Sequence, residues 1–128
     1  MKTRSILLAL ALCFITAPSF AVSWTDGNGM EWTMGPVKTN RQGAFKTCAR
    51  LGFRVPQAEM FWEAVDLGLL DPKVNTGFGE ASKKVDWIWV SETAGTPSFG
   101  MIASRWDDLV GEVVTERHWA LCARSATY

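Results

Sequence analysis

Three cysteines occur in these 128 residues, and the position of the first decides what the other two can do. Cys13 lies in the apolar run Ile6 to Ile15, which follows Lys2 and Arg4 and precedes the small-residue site Ser19-Phe20-Ala21. That is the pattern of a secretory signal peptide, with cleavage expected after Ala21 and residues 22–128 forming a single domain. Leu12, just before Cys13, is not the small residue that lipoprotein processing favours. Cys48 and Cys122 then remain, and an even pair in a small exported chain reads as a disulfide. Closing a loop of 74 residues would stabilise the fold by roughly 4 kcal/mol in the chain-entropy model. For a domain of this size that is a large share of the total.

Export sets the expected location as secreted or periplasmic. The leader's apolar run is shorter than the roughly 20 residues a bilayer needs, and no later stretch is longer, so no membrane span is expected. Removing Lys2 and Arg4 from the 13 basic residues leaves 11 against 13 acidic ones, a formal net charge of −2. Nucleic acid is an unsuitable partner for such a chain, because its binding draws on clustered Lys and Arg.

The pattern along the chain predicts an α+β fold. Met30 to Met34 has the character of a strand stopped by Gly35-Pro36, after a polar stretch, 22–29, that holds Trp24 and reads as a lead-in arm or a first strand. Ala44, Phe45, Cys48 and Leu51 recur at helical spacing, with Thr39 or Asn40 available as cap and Gly52 as stop, which puts Cys48 on the buried face of helix one. Pro56 suits the first turn of helix two, whose apolar stripe is Met60, Phe61, Ala64 and Val65. Opposite them, Glu59, Glu63 and Asp66 read as a solvated face; a catalytic pair would need a pocket that shifts a pKa. Residues 71–86 show no periodicity and are expected to be a long surface loop. Strands are expected from Trp87 to Val90, Met101 to Trp106, Glu112 to Thr115 and His118 to Arg124, with a turn over 107–111. The order is two helices, a long loop, then a twisted antiparallel sheet, with the disulfide joining helix one to the last strand.

Three patches in that order carry a resemblance: Cys48-Ala49-Arg50-Leu51-Gly52-Phe53-Arg54-Val55-Pro56, Trp87-Ile88-Trp89-Val90-Ser91-Glu92 and Trp119-Ala120-Leu121-Cys122-Ala123-Arg124. Together they resemble the bacterial C-type-lectin-like domains, especially the family at the C-terminus of the Legionella collagen-like adhesin, with its Gly-Trp-Arg-Leu-Pro-Thr, Trp-Ser-Ser and Val-Arg-Cys-Val-Arg signatures. The resemblance spans about Met30 to Arg124. It implies a C-type-lectin-like fold and a non-enzymatic, adhesion-like module of the bacterial envelope that recognises a carbohydrate or protein ligand. Three departures accompany it. Gln57 stands where the family has a helix-capping Thr, the second disulfide of animal C-type lectins is absent, and so is the Glu-Pro-Asn or Gln-Pro-Asp tripeptide through which those lectins hold calcium and sugar.

The candidate ligand-binding residues are Trp87, Trp89, Trp106, Asp107 and Asp108. In Trp87-Ile88-Trp89-Val90 the indoles take one face of a strand and the aliphatic residues the other. One face open to solvent would create a recognition patch, and the alternative is that Trp87 and Trp89 are core beneath the long loop. Asp107 and Asp108, with Glu112 as a third oxygen donor, resemble the start of a calcium site; a turn accounts for them equally, and a calcium site needs more oxygens. No metal or cofactor is therefore expected. His118 is the sole histidine and has no visible zinc or triad partner set. Arg54, between Phe53 and Val55, reads either as a recogniser of carboxylate or sulfate or as a half-buried structural arginine tied to carbonyls. Two rivals stand beside the binding module: a small envelope protein packing on a larger partner, and a hydrolase using surface carboxylates.

Overall fold

The computed structural model describes residues 22–126, so the expected leader, residues 1–21, lies outside it. Among the described residues are two three-stranded sheets, two α-helices and one 3-10 helix, and the α+β class expected from the sequence is what forms. The first sheet has the order β1 (Ser23–Thr25), β2 (Met30–Met34) and β6 (Leu121–Ser125). The second has the order β3 (Trp87–Thr93), β4 (Phe99–Ser104) and β5 (Leu109–Val113), and every named strand pair is antiparallel. The single sheet of the sequence reading is thus two. A parallel bridge from Ile88 to Trp119, just before β6, ties them at the β3 edge.

Local signals place the helices. Helix α1 runs Arg41–Arg50, and the Asn40 side chain caps it by accepting a bond from the Gly43 N–H at 2.8 Å. It ends where Gly52 adopts φ of 83°, a left-handed conformation that costs glycine little. Helix α2 runs Ala58–Asp66, so Pro56 lies before the helix and not in its first turn. Gln57 offers no side-chain cap, but the Glu92 carboxylate of β3 accepts from the Ala58 N–H at 3.0 and 3.1 Å. The missing local cap is supplied across the fold, with a negative charge at the positive helix end. Glu59, Glu63 and Asp66 are all exposed, as a solvated face should be.

Residues 71–86 are more ordered than their lack of periodicity implies. Gly79–Lys84 forms a 3-10 helix, and fully buried Asn75 donates to the Leu69 carbonyl and accepts from the Phe78 N–H. Asp26, also buried, accepts from the Trp32 indole at 3.0 Å and from the Asn28 and Met30 N–H groups, closing the β1–β2 turn.

The core is two clusters, and β3 passes between them. Ile88 and Val90 face a cluster with Trp32, Phe61, Leu69 and Leu121, while Trp89 faces a second with Ala44, Cys48, Ile102 and Cys122. Cys48 and Cys122 are bonded, with their Cα atoms 5.3 Å apart, which joins α1 to β6 inside that second cluster. Gly100 of β4 permits the packing there: a Cβ would meet Arg41 Cδ at 2.5 Å and the Trp89 ring at 2.9 Å.

Candidate functional site

Strands β4 and β5 make a hairpin whose connection, 105–108, is shorter than the turn the sequence implied, because β5 begins at Leu109. Ser104 organises it. Its hydroxyl accepts from the Trp106 and Asp108 N–H groups at 3.1 and 3.0 Å, and its own N–H donates to the Asp108 carbonyl at 2.8 Å. Asp107 takes φ of 69°, one of the residue types that tolerate the left-handed region, and this turns the chain back. The result is a tip on which Trp106 is 62% exposed and Asp107 and Asp108 are exposed beside it.

Arg105 fixes this tip to the body of the protein. Its guanidinium donates to the carbonyls of Ser82 and Val85 at 3.2 and 3.3 Å and to that of Leu70 at 3.4 Å, and it lies 5.9 Å from the Trp106 ring centroid. Its backbone N–H donates to Asp86 at 3.0 Å. The arginine tied to backbone carbonyls that was one reading of Arg54 is therefore Arg105. Arg54 is exposed. Nothing in the periodicity near Arg105 marks it out, since its partners are carbonyls of a loop 20 to 35 residues away.

Of the five candidate contact residues, the structure brings Trp106, Asp107 and Asp108 together and leaves Trp89 out. Trp89 is 0% exposed, its indole N–H donates to the Thr39 carbonyl at 2.8 Å, and His118 meets it edge-on at 5.4 Å. It is a core residue, and the open strand face on which it was placed does not exist. Trp87 is half-buried opposite Ser104, at the base of the hairpin tip.

The oxygen donors suggested for calcium are not gathered. Asp108 is engaged by Ser104, with 3.4 Å between hydroxyl and carboxylate, while Glu112 lies along β5 and pairs with His118 at 2.7 Å. Among the described residues no group of three or more His, Cys, Asp or Glu side chains could hold a metal ion. The Glu112–His118 pair is the partner that the sequence did not reveal for the sole histidine. It joins β5 to the segment before β6, whose Thr39–His118 bridge is bonded in both directions at 2.9 Å.

Apolar side chains continue from the tip along the hairpin. Phe99, Leu109, Val110 and Val113 are all exposed large hydrophobics. The register Phe99↔Val113, Met101↔Gly111 and Ala103↔Leu109 puts Phe99, Val113 and Leu109 on one face. β5 is an outer strand of its sheet. The chain matches no protein-family model and no curated protein.

Proposed function

We propose that this chain is an exported C-type-lectin-like binding module that recognises a carbohydrate or protein ligand through the tip of the β4–β5 hairpin. The observation that carries this reading is Trp106, 62% exposed on a turn that Ser104 and Arg105 hold in one shape. An indole in that setting offers a large rigid face for a sugar ring or an apolar side chain at little entropic cost. Asp107 and Asp108 add carboxylate acceptors for ligand hydroxyl or amide groups. The disulfide from α1 to β6 and the sequence patches around it support the lectin-like assignment, and the ordered loop beneath Arg105 supports a preformed surface.

The test is binding of purified residues 22–128 to glycan arrays and envelope extracts, with Trp106→Ala in parallel. Binding weakened by a hot-spot amount of about 2 kcal/mol, with an unchanged melting temperature, is expected. Equal binding by both proteins removes the hairpin tip as the site.

The second reading, packing on a larger envelope partner, draws on the apolar strip that Leu109 and Val113 of the outer strand β5 form with Phe99 of β4 on one face of the hairpin. Val113→Lys then abolishes capture of a protein from extract, while Trp106→Ala leaves it intact.

A further inference from the structure

A groove of about 830 Å³ lies away from the hairpin tip, on the side of the molecule built from α1, the 52–57 segment, the start of α2 and β6. Its volume is in the range of small-molecule sites. Phe45, Phe53, Val55, Pro56 and Met60 give it apolar walls, and two arginines, Arg54 and Arg124, are among its lining residues.

The two arginines differ in what they have left to give. Arg124 is committed: its Nε donates to Glu31 at 2.9 Å, its Nη1 faces the Gly52 carbonyl at 3.4 Å, and its guanidinium lies 4.1 Å from the Phe53 ring centroid. Arg54 makes no side-chain hydrogen bond or ion pair among the described residues. Its backbone is nonetheless fixed, paired with Ala123 through bonds of 2.9 and 2.8 Å, with Phe53 and Val55 buried on either side. A segment fixed by that bridge thus carries an uncompensated planar cation beside an apolar groove.

No carboxylate among the described residues lines that groove. The two acids on adjoining strands are both engaged, Glu31 by Arg124 and Glu92 by the Ala58 N–H. From this charge imbalance we infer that the groove is a second binding site, for an amphipathic monoanion: an unbranched apolar chain ending in a carboxylate. Arg54 takes the carboxylate through its paired N–H donors, and Phe45, Phe53 and Met60 cover the chain. The guanidinium sets polarity, so an uncharged chain of equal length lacks its anchor. A short acid lacks the apolar contact. This site is separate from the one proposed at Trp106 and stands or falls without it.

Calorimetric titration of residues 22–128 with decanoate, below its micelle concentration, tests the site against decanol and acetate. Decanoate is expected to bind at least tenfold more tightly than either. Arg54→Gln, an exposed substitution, weakens decanoate at least tenfold with no change in melting temperature, and Ala49→Phe, which fills the groove wall from the exposed side of α1, does the same. Trp106→Ala binds decanoate as the parent does. Equal affinity for decanoate and decanol, an unaffected Arg54→Gln, or no decanoate binding at all overturns the inference.

Discussion

Strands β3 and β5 both carry apolar side chains on alternating faces, and only β3 buries both of them. Ile88, Trp89 and Val90 are fully buried, whereas Leu109, Val110 and Val113 of β5 and Phe99 of β4 stand in solvent. Composition does not separate them. Position does: β3 lies between two core clusters and is bridged to Trp119 on its outer side, whereas β5 pairs as a strand with β4 alone. Alternation reveals which residues share a face, and the neighbours of that face decide whether an indole is core or contact surface.

The sharpest way to break the comparison is to remove one tryptophan from each region. Trp89→Ala deletes a fully buried indole, while the Thr39 carbonyl that accepts from it keeps the His118 N–H, so a loss of about 4 kcal/mol is expected, within the range for core aromatic deletions. Trp106→Ala should cost less than about 0.5 kcal/mol. Urea denaturation of both variants measures the gap; similar losses would mean that the hairpin tip is as much a part of the core as β3.

The disulfide comes next, because it stands in the cluster that covers the Trp89 face. Reduction of Cys48–Cys122 frees a 74-residue loop and should lower stability by about 4 kcal/mol. Denatured, unreduced protein should show neither thiol of this pair in a titration. Two free thiols would contradict the link between α1 and β6.

Much of this was legible in the chain. The spacing of Ala44, Phe45, Cys48 and Leu51 located α1, the cap pair Thr39 or Asn40 and the stop Gly52 marked its ends, and the cysteine count implied the bond. The strands were expected, but β4 and β5 start earlier than the sequence implied, since Phe99 and Leu109 extend the ladder through backbone pairing that side-chain pattern does not encode. The candidate site was legible only in part. Trp106, Asp107 and Asp108 were found as aromatic and turn residues, whereas Trp89 was misplaced because a second cluster covers its face. Arg105 and Asn75 escaped notice for one reason: each acts on backbone groups, and those partners carry no residue signature.

A smaller effect is expected where β3 meets α2. Glu92 accepts twice from the Ala58 N–H and substitutes for the cap that Gln57 does not provide. Glu92→Ala should cost about 1 kcal/mol, the usual value of a cap. Adding Gln57→Thr restores much of that loss if capping is the whole role of Glu92. A double variant no more stable than Glu92→Ala would show that the carboxylate matters for β3 itself.

The smallest effect lies in the first sheet, far from the compared regions, and sets the scale of a surface contact. Glu31 on β2 has its carboxyl held below its ordinary value of 4.5, chiefly by the Arg124 hydrogen bond, then by one from Ser23, with partial burial opposing. A carboxylate whose folded-state pKa is depressed contributes stability that is present above the unfolded value and is lost as pH falls through the folded one. The contribution is therefore intact at pH 6 and fades below about pH 4.5. Because both partners are partly exposed, its size should be about 0.5 kcal/mol. Glu31→Gln should lower stability by that amount at pH 6 and by nothing measurable at the acid end, where the parent's carboxyl is itself protonated. A constant difference across that pH range would assign the loss to packing of the side chain and not to its charge.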